Sequence, residues 1–319
     1  MTSLRSPRRH QQRGFTLVEA IVAIVITSII AGAMVLFINR PVRNFVDSSG
    51  RAEMSDVADL ALRRMAREIR VALPNSARLT TSGGVLYLEF IPTLGGGRYL
   101  SADDNAQGGT PLSATDGNAL SFSVVGPMPA ISFPPNRQDY LAIYNLGAGF
   151  QDADAYAAGN LARITGQGTT AVGALAVPSI SFASVQAADL GGGTAVSATS
   201  NPFAAPANAS PARPANLSPD QRFQVVGKPV IFRCAGNANG RGTLTRSVAA
   251  PFSTTPSTPA DSAGVLLANN VVACAFSING NANRQSSLVG LTLTLGRPTP
   301  DGTVETVTLA HQIHINNTP

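Results

Sequence analysis

The chain has 319 residues, of which 13% are charged and 44% hydrophobic, with 30 glycines, 22 prolines and no tryptophan. Its length excludes a mini-protein, its apolar content excludes a wholly disordered polar chain, and its single long apolar segment excludes a multi-span membrane protein. A net charge of +5 would suggest nucleic acid if it were spread over a surface, but Arg5, Arg8, Arg9 and Arg13, with no acid among them, hold +4 of it in the first fourteen residues. The rest of the chain is close to neutral and offers no electrostatic footprint for DNA or RNA, so nucleic acid is excluded as a partner.

Residues 15–38 (FTLVEAIVAIVITSIIAGAMVLFI) form one apolar run. As a helix it would be about 36 Å long, enough to cross a bilayer core. The basic stretch before it predicts a cytoplasmic N-terminus and transfer of everything beyond the span across the membrane. Glu19 breaks the pattern. A carboxylate within a membrane helix costs roughly a few kcal/mol even on forgiving insertion scales, so it needs a partner.

Arg13-Gly14-Phe15-Thr16-Leu17-Val18-Glu19 resembles the type IV prepilin signal, which type II secretion pseudopilins also carry. The shared pattern is a short basic leader ending in Gly, then Phe, then an apolar helix with Glu at its fifth residue. The resemblance implies that a prepilin peptidase cuts between Gly14 and Phe15 and methylates the new Phe15 amine. It also implies other major and minor pilins, an inner-membrane assembly platform and its ATPase as partners. An α-amino group has a reference pKa of about 8, so a freed Phe15 amine is largely cationic at neutral pH and can partner Glu19, in the family between neighbouring subunits. Glu19 also suits the positive end of the helix dipole. Two other readings stand beside this one. Glu19 could be an accidental acid that snorkels to the interface, and Ala31-Gly32-Ala33 resembles an ordinary signal-peptidase site that would release a chain beginning at Met34.

Pro41 predicts a kink or local unwinding. Beyond it Met54, Val57, Ala61, Leu62, Met65, Ile69 and Leu73 recur at three- and four-residue steps, with Arg51, Asp59, Arg63, Arg64, Arg67 and Arg70 between them. A helix over 15–73, broken only at Pro41, is therefore expected to lay this apolar stripe on a sheet, with the arginines on a solvated face or a subunit contact. The stretch RAEMSDVADLALRRMAREIRVALPNS, together with the final residues ETVTLAHQIHINNTP, is similar to the minor pilins of the mannose-sensitive haemagglutinin (MSHA) pilus, the MshO-like biogenesis proteins.

From residue 80 the helical pattern gives way to short β-prone runs between Gly, Pro, Asn and Asp clusters. The strand candidates are Val85–Phe90, Ala119–Val125, Tyr140–Asn145, Phe223–Val226, Val230–Ala235, Val271–Ile278, Leu288–Leu295 and Val304–Ile315. Residues 92–118 and 186–222 read as long loops with little to bury, and 249–262 as a third. The expected class is α+β: a long N-terminal helix, its first half transmembrane, on a mostly antiparallel β-sheet domain, pilin-like. The expected division is a basic leader (1–14), the membrane half of the helix (15–40), its amphipathic half (41–73) and a periplasmic β-rich domain (74–319).

Cys234 and Cys274 fall on predicted strands. Delivery to an oxidising compartment predicts a disulfide between them, with free thiols or a redox role as the alternatives. His311 and His314 lie three apart on a predicted strand, hence on opposite faces, and cannot readily share a metal. Asp103-Asp104-Asn105, and Asp152 with Asp154, are oxygen-rich in the way calcium prefers, but the spacing is not that of an EF-hand. Gly95-Gly96-Gly97 runs into Arg98-Tyr99 and lacks the Lys-Ser/Thr of a phosphate loop. No nucleophile, base and orienter come together, so no enzyme is predicted. No cofactor is expected, with calcium at those aspartate carboxylates as the alternative. The expected function is a structural one. The chain would be a minor subunit of a type IV, MSHA-like pilus, acting in initiation or at the tip, with a type II secretion minor pseudopilin or an adhesive tip module as alternatives.

Overall fold

The computed structural model describes residues 14–104, 108–134, 136–191, 200–205, 217–248, 251–279, 285–299 and 302–319. The leader arginines, His10 and Asn105 therefore lie outside the described residues, as do 192–199 and 206–216 of the expected 186–222 loop. The chain divides into two compact units, Met1–Glu53 and Met54–Pro319. One helix, α1 (Leu17–Ile69), supplies nearly all the described residues of the first unit and opens the second. It continues through Pro41, so the local unwinding considered from the sequence is absent.

α1 also stops short of the predicted residue 73. The last turn is outcompeted by tertiary pairing: Leu73 donates its N–H to the Ile91 carbonyl (2.7 Å), and Thr93 donates to the Val71 carbonyl (2.8 Å). Pro74 adds to this, because the residue before a proline is disfavoured in the α region.

In the second unit α1 buries Met54, Ala58, Ala61, Leu62, Met65, Ala66 and Ile69. They share one core with Leu88, Phe90, Phe232, Leu244, Val271, Leu291, Leu293 and Ile313. Met65 and Ile69 are fully buried, and each such side chain contributes about 1.5–3 kcal/mol. The sheet beneath has seven strands: β1 (Arg78–Ser82), β2 (Val85–Phe90), β9 (Val230–Ala235), β10 (Gly242–Ser247), β11 (Val265–Asn279), β12 (Ser286–Pro298) and β13 (Val304–Asn316), neighbours in that order and antiparallel throughout. β1 and β10 are too short and too polar in sequence (RLTTS, GTLTRS) to stand out as strands.

Cys234 on β9 and Cys274 on β11 form a disulfide, with their Cα atoms 6.4 Å apart. β10 lies between those strands, and it begins at Gly242, where a Cβ would strike the Ala235 and Val271 carbonyl oxygens. Cys234 is opposite Leu244 of β10, and two residues on, Gly236 lies against β11, where a Cβ would meet the Val272 carbonyl at 2.7 Å, so β9 and β11 converge beside the disulfide. Closing a loop of 40 residues contributes about 4 kcal/mol by the loop-entropy account.

Between β2 and β9 the chain builds a second sheet, a closed six-stranded barrel. Its strands are β3 (Thr93–Tyr99), β4 (Ser121–Val125), β5 (Tyr140–Ala142), β6 (Leu161–Val172), β7 (Leu175–Ser184) and β8 (Arg222–Val226), in the order β3-β4-β7-β6-β5-β8. The expected loop 92–118 is thereby corrected: its first part is β3, and Leu112 is buried. The glycine triplet is a strand because of its neighbours. A Cβ on Gly96 would meet the Phe223 carbonyl at 2.9 Å, and one on Gly97 would meet the Phe223 ring at 2.9 Å.

The hairpin β6–β7 (LARITGQGTTAV, LAVPSISFAS) was not legible, since glycines and an internal proline mask its alternation. The expected loop 186–222 is corrected in its described part as well. Phe203 is fully buried and packs edge-on against Phe182, in a core with Tyr99, Phe122 and Phe223. The barrel starts and ends at one point, where Gly227 donates its N–H to the Pro92 carbonyl (3.0 Å).

Candidate processing and assembly site

The start of α1 is built by Thr16. Its hydroxyl accepts the N–H of Glu19 (3.3 Å) and its carbonyl accepts the N–H of Ala20 (3.1 Å), which makes it the N-cap of the helix. The sequence reading missed this role, although Thr16-x-x-Glu19 has the spacing of a capping box. Capping fixes where the helix begins and holds Glu19 in its first turn. Nothing lies within 4 Å of a Cβ built on Gly14, and Phe15 is 77% exposed. Among the described residues the Gly14–Phe15 bond is therefore uncovered and lies ahead of the capped helix.

Beyond it, Leu17–Met34 has a mean hydropathy of 2.4 and none of it is buried within the chain. Two polar residues in that stretch are neutralised locally. The Thr27 hydroxyl donates to the Ala23 carbonyl (2.7 Å), and the Ser28 hydroxyl to the Ile24 carbonyl (2.7 Å). With those hydroxyls satisfied within the helix, Glu19 is the one ionisable group between Leu17 and Met34.

Other sequence candidates take structural roles. His311 and His314 on β13 lie on opposite faces, the first half-buried and the second exposed. Asp104 accepts bonds from the Ser101 hydroxyl (3.0 Å) and the Gln221 amide. Asp154 caps a 3-10 turn by accepting the Tyr156 N–H (3.0 Å), and burial pushes its carboxyl above the usual range. Arg63 pairs with Asp59 (2.7 Å), and Arg246 ties Glu68 of α1 to β10 (2.6 Å).

A buried cluster that the sequence did not reveal surrounds Asp189. It accepts the Tyr140 hydroxyl (2.7 Å) and faces Arg163 (3.5 Å) and Lys228 (3.4 Å). Burial first, and the Asp189 carboxylate second, hold the Tyr140 phenol protonated far above its ordinary value. This cluster fastens β5, β6 and the barrel's exit to one turn.

Residues 9–35 match the family model of the prokaryotic N-terminal methylation motif. That match supports a type IV pilin-like precursor, a pilin or pseudopilin substrate of prepilin peptidase, and it marks a structural subunit and not a catalytic family. Together with the apolar helix it supports membrane anchoring and incorporation into a filament with other pilins. The α+β architecture, an apolar helix followed by antiparallel sheet, is consistent with it. No curated protein and no solved structure matches the chain.

Proposed function

We propose that this chain is a minor pilin of an MSHA-like type IV pilus, cut after Gly14, methylated at Phe15, and assembled at the initiating end or tip of the filament. The observation that carries the reading is the matched motif on a capped, fully exposed apolar helix whose intramembrane acid, Glu19, lacks a partner within its own span. Before extraction the leader lies in the cytoplasm and the β-rich part in the periplasm, the orientation favoured by the basic residues ahead of the span. The Cys234–Cys274 disulfide suits that compartment. Likeness of residues 51–76 and 305–319 to MSHA minor pilins favours that system over a type II secretion pseudopilus. Sequencing the N-terminus of the membrane-extracted chain tests the processing step. N-methylated Phe15 is the expected start, and Met34 would show release by an ordinary signal peptidase.

The inserted barrel favours a second role for the same subunit, as an adhesive module at the tip. Its two ends are joined by the Gly227–Pro92 hydrogen bond, and β2 pairs directly with β9, Phe90 opposite Val230. Replacing 93–226 by a short Gly/Ser turn should therefore leave the seven-stranded sheet paired. Piliated cells that lose surface attachment are the expected result of this excision. Loss of the pili themselves would instead assign the barrel to assembly.

A further inference from the structure

β13 ends the seven-stranded sheet, and among the described residues β12 is its only strand partner. It pairs with β12 over thirteen consecutive residues without a bulge. A free edge of that length presents a row of unpaired N–H and C=O groups, and proteins ordinarily blunt such edges with lysines, prolines, bulges or short strands. None of these devices is present. Between Val304 and Asn316 there is no proline, lysine or arginine, and the sole acid, Glu305, is paired with Arg297 (2.8 Å). The opposite edge is blunted in contrast: β1 is five residues long and its Arg78 is engaged by Glu89.

The two faces of β13 define what can dock there. Val307 and Leu309 pack on the core yet remain only partly buried, while Thr306, Thr308, Ala310, Gln312 and His314 face solvent. An incoming strand that alternates apolar and uncharged polar residues would complete the core at this edge and continue the sheet.

We infer that the β13 edge receives an extended strand from another pilin-type subunit, a reading that rests on the subunit function proposed above. A second copy of this chain does not fit. Antiparallel β13–β13 pairing has its two-fold axis perpendicular to the sheet, which reverses the α1 segment lying on that sheet and closes the contact on two copies, whereas subunits that add to a filament share one polarity. Parallel pairing of the same edges would turn the helices to opposite faces and set the Val307 row beside the exposed Thr306 row. The partner strand therefore comes from a different chain.

The test uses full-length Thr306→Cys and Ala310→Cys variants, with the native cysteines left in their disulfide, each labelled with a benzophenone maleimide and irradiated in purified filaments. Both positions are on one face of β13, four residues apart. The expected result is that both label one segment of another pilin-type subunit, at sites displaced from each other by four residues, with yields at least tenfold below this for the isolated chain in detergent. Adducts on a second copy of this chain, adducts without the four-residue displacement, or no adduct in filaments that contain the chain each overturn the edge proposal alone. Absence of the chain from filaments overturns the subunit reading, and the edge proposal with it.

Discussion

Glu19→Ala should leave removal of the leader intact and reduce stable incorporation into filaments by on the order of 100-fold. The proposed cleavage site is expected to survive because Gly14 and Phe15 precede the capped helix, and the N-cap, supplied by Thr16, does not depend on the Glu19 side chain. On the expected pairing, incorporation falls because the carboxylate is the one group in the Leu17–Met34 span able to attract a neighbour's Phe15 amine. Breaking a buried charge pair by deleting one partner costs about 3–5 kcal/mol, since the amine then stays uncompensated in an apolar bundle. Even the lower figure corresponds to roughly 100-fold in an equilibrium. Glu19→Asp, which keeps the charge but retracts it by one methylene, should fall between the two. Quantifying the subunit in sheared filaments against its processed pool in the membrane checks the argument, and an Ala variant that incorporates normally would refute the pairing.

The parts of this molecule that the sequence displayed are those whose pattern is local. The α1 stripe from Met54 to Ile69 repeats at helical spacing, and it forms the core face it predicts. β9 (VIFRCA), bounded by Pro229 and Gly236, occupies Val230–Ala235 as read. The cysteines were legible because they fall on such strands, and they are joined as expected.

What stayed hidden depends on partners far away in the chain. β3 is a strand because Phe223, over a hundred residues later, fills the space that side chains at Gly96 and Gly97 would take. Phe203 reads as an isolated aromatic in an Ala/Ser/Pro-rich stretch, and its burial against Phe182 requires a closed barrel to be known first. The helix end is similar: the periodicity ran on to Leu73, but the Ile91 carbonyl takes that N–H. At the N-terminus the cleavage junction and Glu19 were explicit in the motif, whereas the cap at Thr16 was written in the same residues and passed unread.

Arg78→Ala is expected to destabilise the β-rich unit by about 3–5 kcal/mol, and the deficit should shrink as pH is lowered. Arg78 joins three segments distant in sequence. Its guanidinium pairs with Glu89 on β2 (2.9 Å) and donates to the Ser253 (2.8 Å) and Thr254 (3.1 Å) carbonyls. It also lies 3.5 Å from the centroid of the Tyr156 ring, whose hydroxyl donates to the Ser76 carbonyl (3.0 Å). The sheet, the barrel and the segment after β10 are thereby tied to one side chain.

Removing it strands Glu89, which is 2% exposed and keeps only the Ser257 N–H (3.1 Å) as a partner on Oε2, while Oε1 already has none. Burial holds the Glu89 carboxyl above its ordinary value and Arg78 opposes that shift, so loss of Arg78 raises it further. A carboxyl whose folded pKa lies above the unfolded one binds protons more readily in the native state. Its cost is therefore full at neutral pH and is relieved as pH falls through the folded pKa. Urea unfolding of the full chain in detergent, followed by circular dichroism from pH 8 to pH 5, should show the gap between variant and parent narrowing towards the acid end. Arg78→Lys, which keeps the charge but loses the two-pronged contact, should recover part of the loss. A deficit under 1 kcal/mol, or one that widens with acid, would show that Glu89 is not held by this cation.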